Sequence, residues 1–355
     1  MTFNKEQLSL TTSIVCVLLF FGFTLSPALL SIGLMGLSLL GLLQLKSFDL
    51  DTYEKRILIG MIVFYGLMLL SAGFSSNTDE AIRKLILKLP ILVFPLIFFA
   101  LKSLKTGHKY LLILCLSYAV FLPGIVSVYN YFSNKVLFDQ LILESKPLPI
   151  EFGYGIYHIQ FSILLACSIV LNVFAIIQHK TLELTTLQKR LLWLMGILNL
   201  IILHILSART GLLACYVGLF TLMLFQFKFL KPKYRVLTIA IIICMPMIML
   251  IGSQSFRNRM LNTVEDFKVA WDGKDANDYS FALRVQAWKN AGQIIQSHPF
   301  IGVGIGDADQ VLYQHFAISN PNILEHNRKN PHFQFLSYFN WRKGNWLKEN
   351  LNFED

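Results

Sequence analysis

The sequence predicts an all-α integral membrane protein: a polytopic helical bundle with one large helical loop outside the membrane. Three observations carry that reading. Of 355 residues, 55% are hydrophobic and only 15% charged, against about 25% charged in an ordinary soluble domain. Residues 7–45 contain no Asp, Glu, Lys or Arg in 39 positions, and residues 191–227 hold one formal charge, Arg209, in 37. A helix crosses a bilayer with about 20 apolar residues, so each run is two spans joined by a tight turn. The runs are continuous rather than alternating, which points to helices and not barrel strands. The apolar excess excludes a disordered chain, and five Cys in 355 residues exclude a disulfide scaffold.

Nine spans are expected, at roughly 8–25, 28–45, 57–74, 85–101, 110–132, 156–178, 191–206, 211–227 and 236–252. The first is not expected to be a cleaved signal peptide. It has one leading Lys5, no small-x-small cleavage site, and a second span directly after Pro27. Orientation follows from basic residues. With the N-terminus inside, the inner segments hold 14 Lys and Arg and the short outer loops six. That asymmetry favours N-inside and puts residue 253 outside. The net charge of +10 sits entirely among residues 1–252, since 253–355 holds 11 basic and 11 acidic residues. The charge is therefore a topology signal, and no nucleic-acid partner is expected.

The chain divides into a membrane domain of about nine helices over 1–252, an outer loop domain over 253–331, and an aborted tenth helix with a polar tail over 332–355. Within the loop, a helix is expected from about Tyr279 to Ser297, with Asp278 or Ser280 as N-cap and His298-Pro299 as its stop. Gly302, Gly304 and Gly306 make a turn, and Asp307 or Asp309 caps a second helix to about Ser319. The glycines follow His-Pro rather than a strand, so they are no nucleotide fingerprint. The five cysteines fall in expected spans without metal-ligand spacing, and the acidic residues of the loop form no metal cluster. No metal or cofactor is expected. Past Phe339 the tenth helix gives way to polar residues, too early to cross a bilayer.

Four side chains stand out as candidates. Arg209 lies at the tip of the hairpin between spans seven and eight. It is either a snorkelling interfacial Arg or a functional guanidinium, which is suited to a bidentate grip on phosphate. Arg284 falls at about −60° from Phe281 on a helical projection, between Trp288 near about −20° and Ala291 near about −80°. It sits inside an apolar stripe, with either its stem packed on Trp288 or its head aimed into a site. His332 comes where the chain would re-enter the membrane, and its imidazole, with an ordinary pKa of about 6.5, could act as a general base. His158, at the outer end of span six near Glu151 and Tyr154, has a similar claim. His204, within span seven, is expected to be a packing or capping residue.

Ser207-Ala208-Arg209-Thr210-Gly211, then Arg284-x3-Trp288-x2-Ala291 leading to His298-Pro299-Phe300-Ile301-Gly302-Val303-Gly304, then Pro331-His332-x-Gln334-Phe335-Leu336 occur in order. Together they resemble the O-antigen ligase and polymerase family of bacterial membrane glycosyltransferases, over approximately residues 200–339. The resemblance implies a GT-C-like helical fold with a periplasmic loop in the bacterial inner membrane. It implies transfer of a glycan from an undecaprenyl-diphosphate-linked donor to an acceptor sugar, such as lipid A-core or another glycan. By position, Arg209 and Arg284 resemble the family's diphosphate-binding arginines and His332 its catalytic histidine. The family usually has Asn after that His, where this chain has Phe333. Such a reaction needs no metal, because two arginines can stabilise the departing diphosphate. Proton abstraction by His332 as the acceptor attacks C1 would invert that carbon.

Two other readings compete. A transporter of lipid-linked glycans would carry charges deep within several spans, whereas these spans are nearly uncharged. An inactive, truncated product is the other, favoured by the broken tenth helix.

Overall fold

The computed structural model describes residues 4–44, 51–143, 150, 152, 157–226, 232–272, 276–277, 279–297 and 302–328. All regular structure among them is helical. In chain order the helices are α1 (Lys5–Leu25), α2 (Pro27–Gln44), α3 (Thr52–Gly73), α4 (Thr78–Lys88), α5 (Pro90–Lys102), α6 (Thr106–Ser133), α7 (Lys135–Leu143), α8 (His158–Ile177), α9 (Thr186–Leu206), α10 (Arg209–Gln226), α11 (Pro232–Gly252), α12 (Gln254–Asp272), α13 (Ser280–Ser297) and α14 (Ala308–Ser319). Seven apolar stretches among the described residues are long enough to cross a membrane: α1, α2, α3, α4 with α5, α6, α8 and α9. The chain is an all-α, multi-pass membrane protein.

The fourth expected span is longer than its hydropathy suggests. It begins at Thr78 and is jointed at Leu89, because Pro90 brings no N–H to continue the ladder. The short α7 and the long α12 were not anticipated: α7 is only nine residues long, although Phe138 and Ile142 face the core, and the inward side of α12 is largely polar. The chain falls into two compact units, one from Met1–Lys46 and Leu96–Asn262, the other from Ser47–Pro95 and Thr263–Asp355.

The first unit is a bundle centred on α6, α8, α9 and α10. Its apolar core includes Phe161, Leu165, Leu203 and Cys215. α10 lies against α8 at van der Waals distance because Gly211 and Gly218 face it. A Cβ at Gly211 would meet the Ser162 backbone and side chain at 2.4–2.7 Å, and one at Gly218 would meet Val170 at 2.8 Å. Small residues at a membrane helix interface serve such close approach. A polar node crosses the same bundle. The Ser117 hydroxyl donates to the Asn172 carbonyl oxygen at 3.1 Å, and the Asn199 amide donates to Ser168 Oγ at 2.9 Å and to the Ser117 carbonyl at 3.2 Å. All four residues are buried.

The second unit joins α3 and α4 to α13 and α14. α13 and α14 close a core of Leu283, Ala287, Ala291, Leu312 and Phe316. The Gly302–Gly306 turn forms as expected, with Gly302 and Gly304 at positive φ of 64° and 80°, a conformation glycine adopts without penalty. It also docks. The Ile305 N–H donates to Ser71 Oγ at 3.0 Å and the Gly306 N–H to Ser75 Oγ at 2.9 Å. A Cβ on Gly306 would stand 2.2 Å from the Asn77 carbonyl oxygen.

Asp307 occupies the N-cap position of α14 but does not cap it. Its carboxylate instead accepts from the Ser76 and Asn77 N–H groups at 2.6 and 2.8 Å, just ahead of α4. Lys84 pairs with Asp309 at 2.6 Å and donates to the Ile305 carbonyl at 3.0 Å. The start of α13 is served by Asp266 of α12, whose Oδ1 accepts from the Phe281 and Ala282 N–H groups at 2.9 and 3.1 Å. Ser280 is the first helical residue, and Asp278 and His298-Pro299 lie outside the described residues.

Candidate active site

The hairpin carrying Arg209 is set by its turn. α9 starts in a capping box, with Thr185 Oγ1 taking the Gln188 N–H while Gln188 Oε1 takes that of Thr185. It ends at Ser207, which sits in the left-handed region at φ 50°, an uncommon place for a residue with a Cβ. The Ser207 hydroxyl donates to the His204 carbonyl at 2.7 Å. The Ser255 hydroxyl of α12 donates to the Ile205 carbonyl at 3.0 Å and lies 3.2 Å from Ser207 Oγ. Locked from both sides, the turn releases the chain into α10 with Arg209 as its first residue.

Two more helices bring nitrogen-bearing side chains to this point. Arg259 lies four residues beyond Ser255, so both project from one face of α12, and Ser255 has tied that face to the turn before Arg209. Arg259 is only 7% exposed. Burial, and then the positive charge of Arg209, press its guanidinium below the ordinary value. Such a pair favours an anion, which offsets both penalties. His158, first residue of α8, stands four before Ser162, the residue against which Gly211 packs. It lies within electrostatic reach of Arg259. Arg259 thus lies within electrostatic reach of both Arg209, at the start of α10, and His158, at the start of α8.

His204 is the packing residue expected. It is fully buried, donating Nδ1–H to the Leu200 carbonyl at 2.8 Å, which leaves Nε2 to accept from the Tyr216 hydroxyl at 2.5 Å.

Arg284 belongs to the second unit and requires a correction. Of the expected inward stripe of Phe281, Trp288, Ala291 and Ile295, Ala291 alone belongs to the buried face of α13. Ala282, Leu283, Ala287, Asn290 and Ile294 complete that face. The alanines let α13 lie close on α14, and the bulky aromatics stay outside. Phe281 packs on Phe267 at 4.2 Å between ring centres and edge-on to Trp288 at 6.3 Å. Arg284 is half-buried on the flank between Phe281 and Trp288.

His332 lies outside the described residues. Among the described residues no three His, Cys, Asp or Glu side chains gather into a set that could hold a metal ion. Arg259 is the residue that sequence reasoning missed. Its only signal was the i,i+4 pairing with Ser255 on a helix whose inward face is polar.

Residues 191–339 match a family model described as O-Antigen ligase. No curated protein and no solved structure matches the chain. The matched stretch contains Arg209, Arg259, Arg284 and His332, and His158 precedes it. The likeness of this multi-pass membrane protein to the O-antigen ligase family therefore extends over residues 191–339, less than half of the chain.

Proposed function

We propose that this chain transfers a glycan from an undecaprenyl-diphosphate-linked donor to an acceptor sugar, lipid A-core or another glycan, at the periplasmic face of the bacterial inner membrane. The N-terminus is cytoplasmic and the loop periplasmic. The observation that carries the reading is the convergence of Arg209, Arg259 and His158 at the head of α10. Two guanidinium groups and an imidazole suit a diphosphate, which offers several oxygens to planar donors. When the bond between the sugar C1 and the diphosphate oxygen breaks, negative charge grows on the leaving group. Fixed cations near that oxygen stabilise the change without a metal.

Arg284 supplies a further guanidinium to the diphosphate, and His332 removes the acceptor hydroxyl proton as that oxygen attacks C1 from the opposite side. The new C1–O bond is inverted, the diphosphate carrier leaves as an anion, and the proton on His332 passes to water.

The test is the full chain in proteoliposomes with a lipid-diphosphate glycan and a lipid A-core acceptor. Attachment of glycan to acceptor is expected. Arg209→Lys and Arg284→Lys should each impair it, because Lys keeps the charge but lacks the fork. His332→Ala should abolish it. Wild-type transfer by His332→Ala would remove the general base. Glycan crossing the bilayer without attachment would make the protein a carrier and overturn the proposal.

A further inference from the structure

α12 is turned inside out for a helix in water. Its buried side carries Ser255, Asn258, Arg259, Asn262 and Asp266, with Phe256 and Val269 as the apolar members. Its open side carries Leu261 at 65% exposure, Val264 at 54%, Phe267 at 53% and Trp271 at 92%. A surface helix in water points its apolar residues the other way. Leu261, Val264 and Trp271 follow one another at helical spacing along a single face.

The surroundings indicate what covers that face. α11 ends at Gly252, with Met247, Ile248 and Ile251 exposed, and α12 begins two residues later. The corner is pinned by Arg257, whose Nη1 donates to the Ile251 carbonyl at 2.6 Å and the Leu250 carbonyl at 3.2 Å. Thus α12 starts where an apolar, outward-facing helix stops. Arg257 and the exposed Lys268 interrupt this face at helical spacing, with the exposed Glu265 and Asp272 along one edge, and the long basic stems can reach phosphate headgroups. The Phe267–Phe281–Trp288 ladder carries the face onto α13. Indole rings such as Trp271 and Trp288 favour the boundary between lipid and water.

We infer that the Leu261–Val264–Phe267–Trp271 face of α12 is seated in the headgroup–acyl boundary of the leaflet that α11 reaches. The inference is independent of the reaction proposed above, since an inactive chain would seat in the same way. Phe281 and Trp288 bracket Arg284 on α13, so the same seat brings that guanidinium to the depth of lipid phosphates.

The experiment uses the full chain in phosphatidylcholine–phosphatidylglycerol vesicles, with Trp193, Trp288, Trp341 and Trp346 changed to Phe so that Trp271 reports alone. Its fluorescence should be quenched most by acyl chains brominated near the headgroup, and only weakly by aqueous iodide. Full iodide quenching with no response to brominated lipid overturns the inference. Protection from iodide that appears only at high protein-to-lipid ratio assigns the face to a second copy, and also overturns it. If the fourfold variant does not fold, Trp271→Phe alone should remove the share of lipid quenching due to one indole in five. No change in that share is a negative result.

Discussion

In the second unit, Asp307 faces two backbone N–H groups and Lys84 faces both Asp309 and a carbonyl. At the head of α10, by contrast, Arg259 is brought within electrostatic reach of both Arg209 and His158. In the first region charge holds the chain together. In the second the chain holds charge together, against the repulsion between two guanidinium groups. An anion bound there, as proposed above, would lower the energy of the folded site more than that of the unfolded chain. The difference gives the two regions opposite mutational signatures.

The largest effect is expected where like charges meet. Arg209→Gln should lower glycan transfer about 10²- to 10³-fold, the range for removing a donor that stabilises developing negative charge. Arg259→Gln should also lower it, while thermal unfolding in detergent does not move down in step, since repulsion is relieved. If Arg259→Gln lost stability and activity in proportion, Arg259 would belong with the structural charges and the contrast would collapse.

Next comes Asp307→Ala, which leaves two N–H groups without a charged acceptor. A loss of about 3 kcal/mol is expected, from hydrogen bonds worth about 1.5–3 kcal/mol each and partly replaced by water. Thermal unfolding should show the loss in full, with transfer falling only as folded protein falls. An unchanged unfolding temperature would show that the docked turn contributes nothing. Asp266→Ala sharpens the same point at about 1 kcal/mol, the usual cost of a lost N-cap. It should loosen α13 in hydrogen exchange, and equal protection in the variant would argue that the cap is idle.

The smallest effect is a pH dependence. Burial holds the His315 imidazole below its ordinary 6.5, where it meets Asn290 Oδ1 at 2.9 Å and Ser319 Oγ at 3.1 Å. The unfolded chain therefore takes up its proton first as pH falls. His315 contributes stability that is fully present above 6.5 and is lost as pH falls from there through the lower folded-state value. The unfolding temperature should drop slightly between neutral and acid pH, and His315→Gln should flatten the slope. An equal slope in both proteins would place the titrating group elsewhere.

Much of this was legible in the sequence. The apolar runs marked the spans because one segment's composition decides whether it crosses a bilayer. Ser280–Ser297 and Ala308–Ser319 were visible from local turn and capping residues, close to the bounds observed. What sequence reading missed depends on partners distant in the chain. Asp307 looked like the cap of the helix it precedes, and only the approach of Ser76 and Asn77 redirects it. Phe281 and Trp288 looked like core because they are large, yet alanines were the residues small enough to bury. Arg259 could not be singled out, since its proximity to Arg209 depends on how α12 returns to the α9–α10 turn.

The polar node between α6, α8 and α9 bears on the order in which the bundle is born. During synthesis α6 and α8 emerge before α9, and the Ser117 hydroxyl already donates to Asn172 between the first two. Asn199 then finds one acceptor on each: the Ser117 carbonyl on α6 and the Ser168 hydroxyl on α8. An amide carried alone into hydrocarbon is costly to place, and a partner helix removes that cost. α9 is therefore the helix that completes this polar node, before α10 joins the bundle. The turn carrying Arg209 follows directly from α9, and it is locked only when Ser255 of the later α12 reaches it.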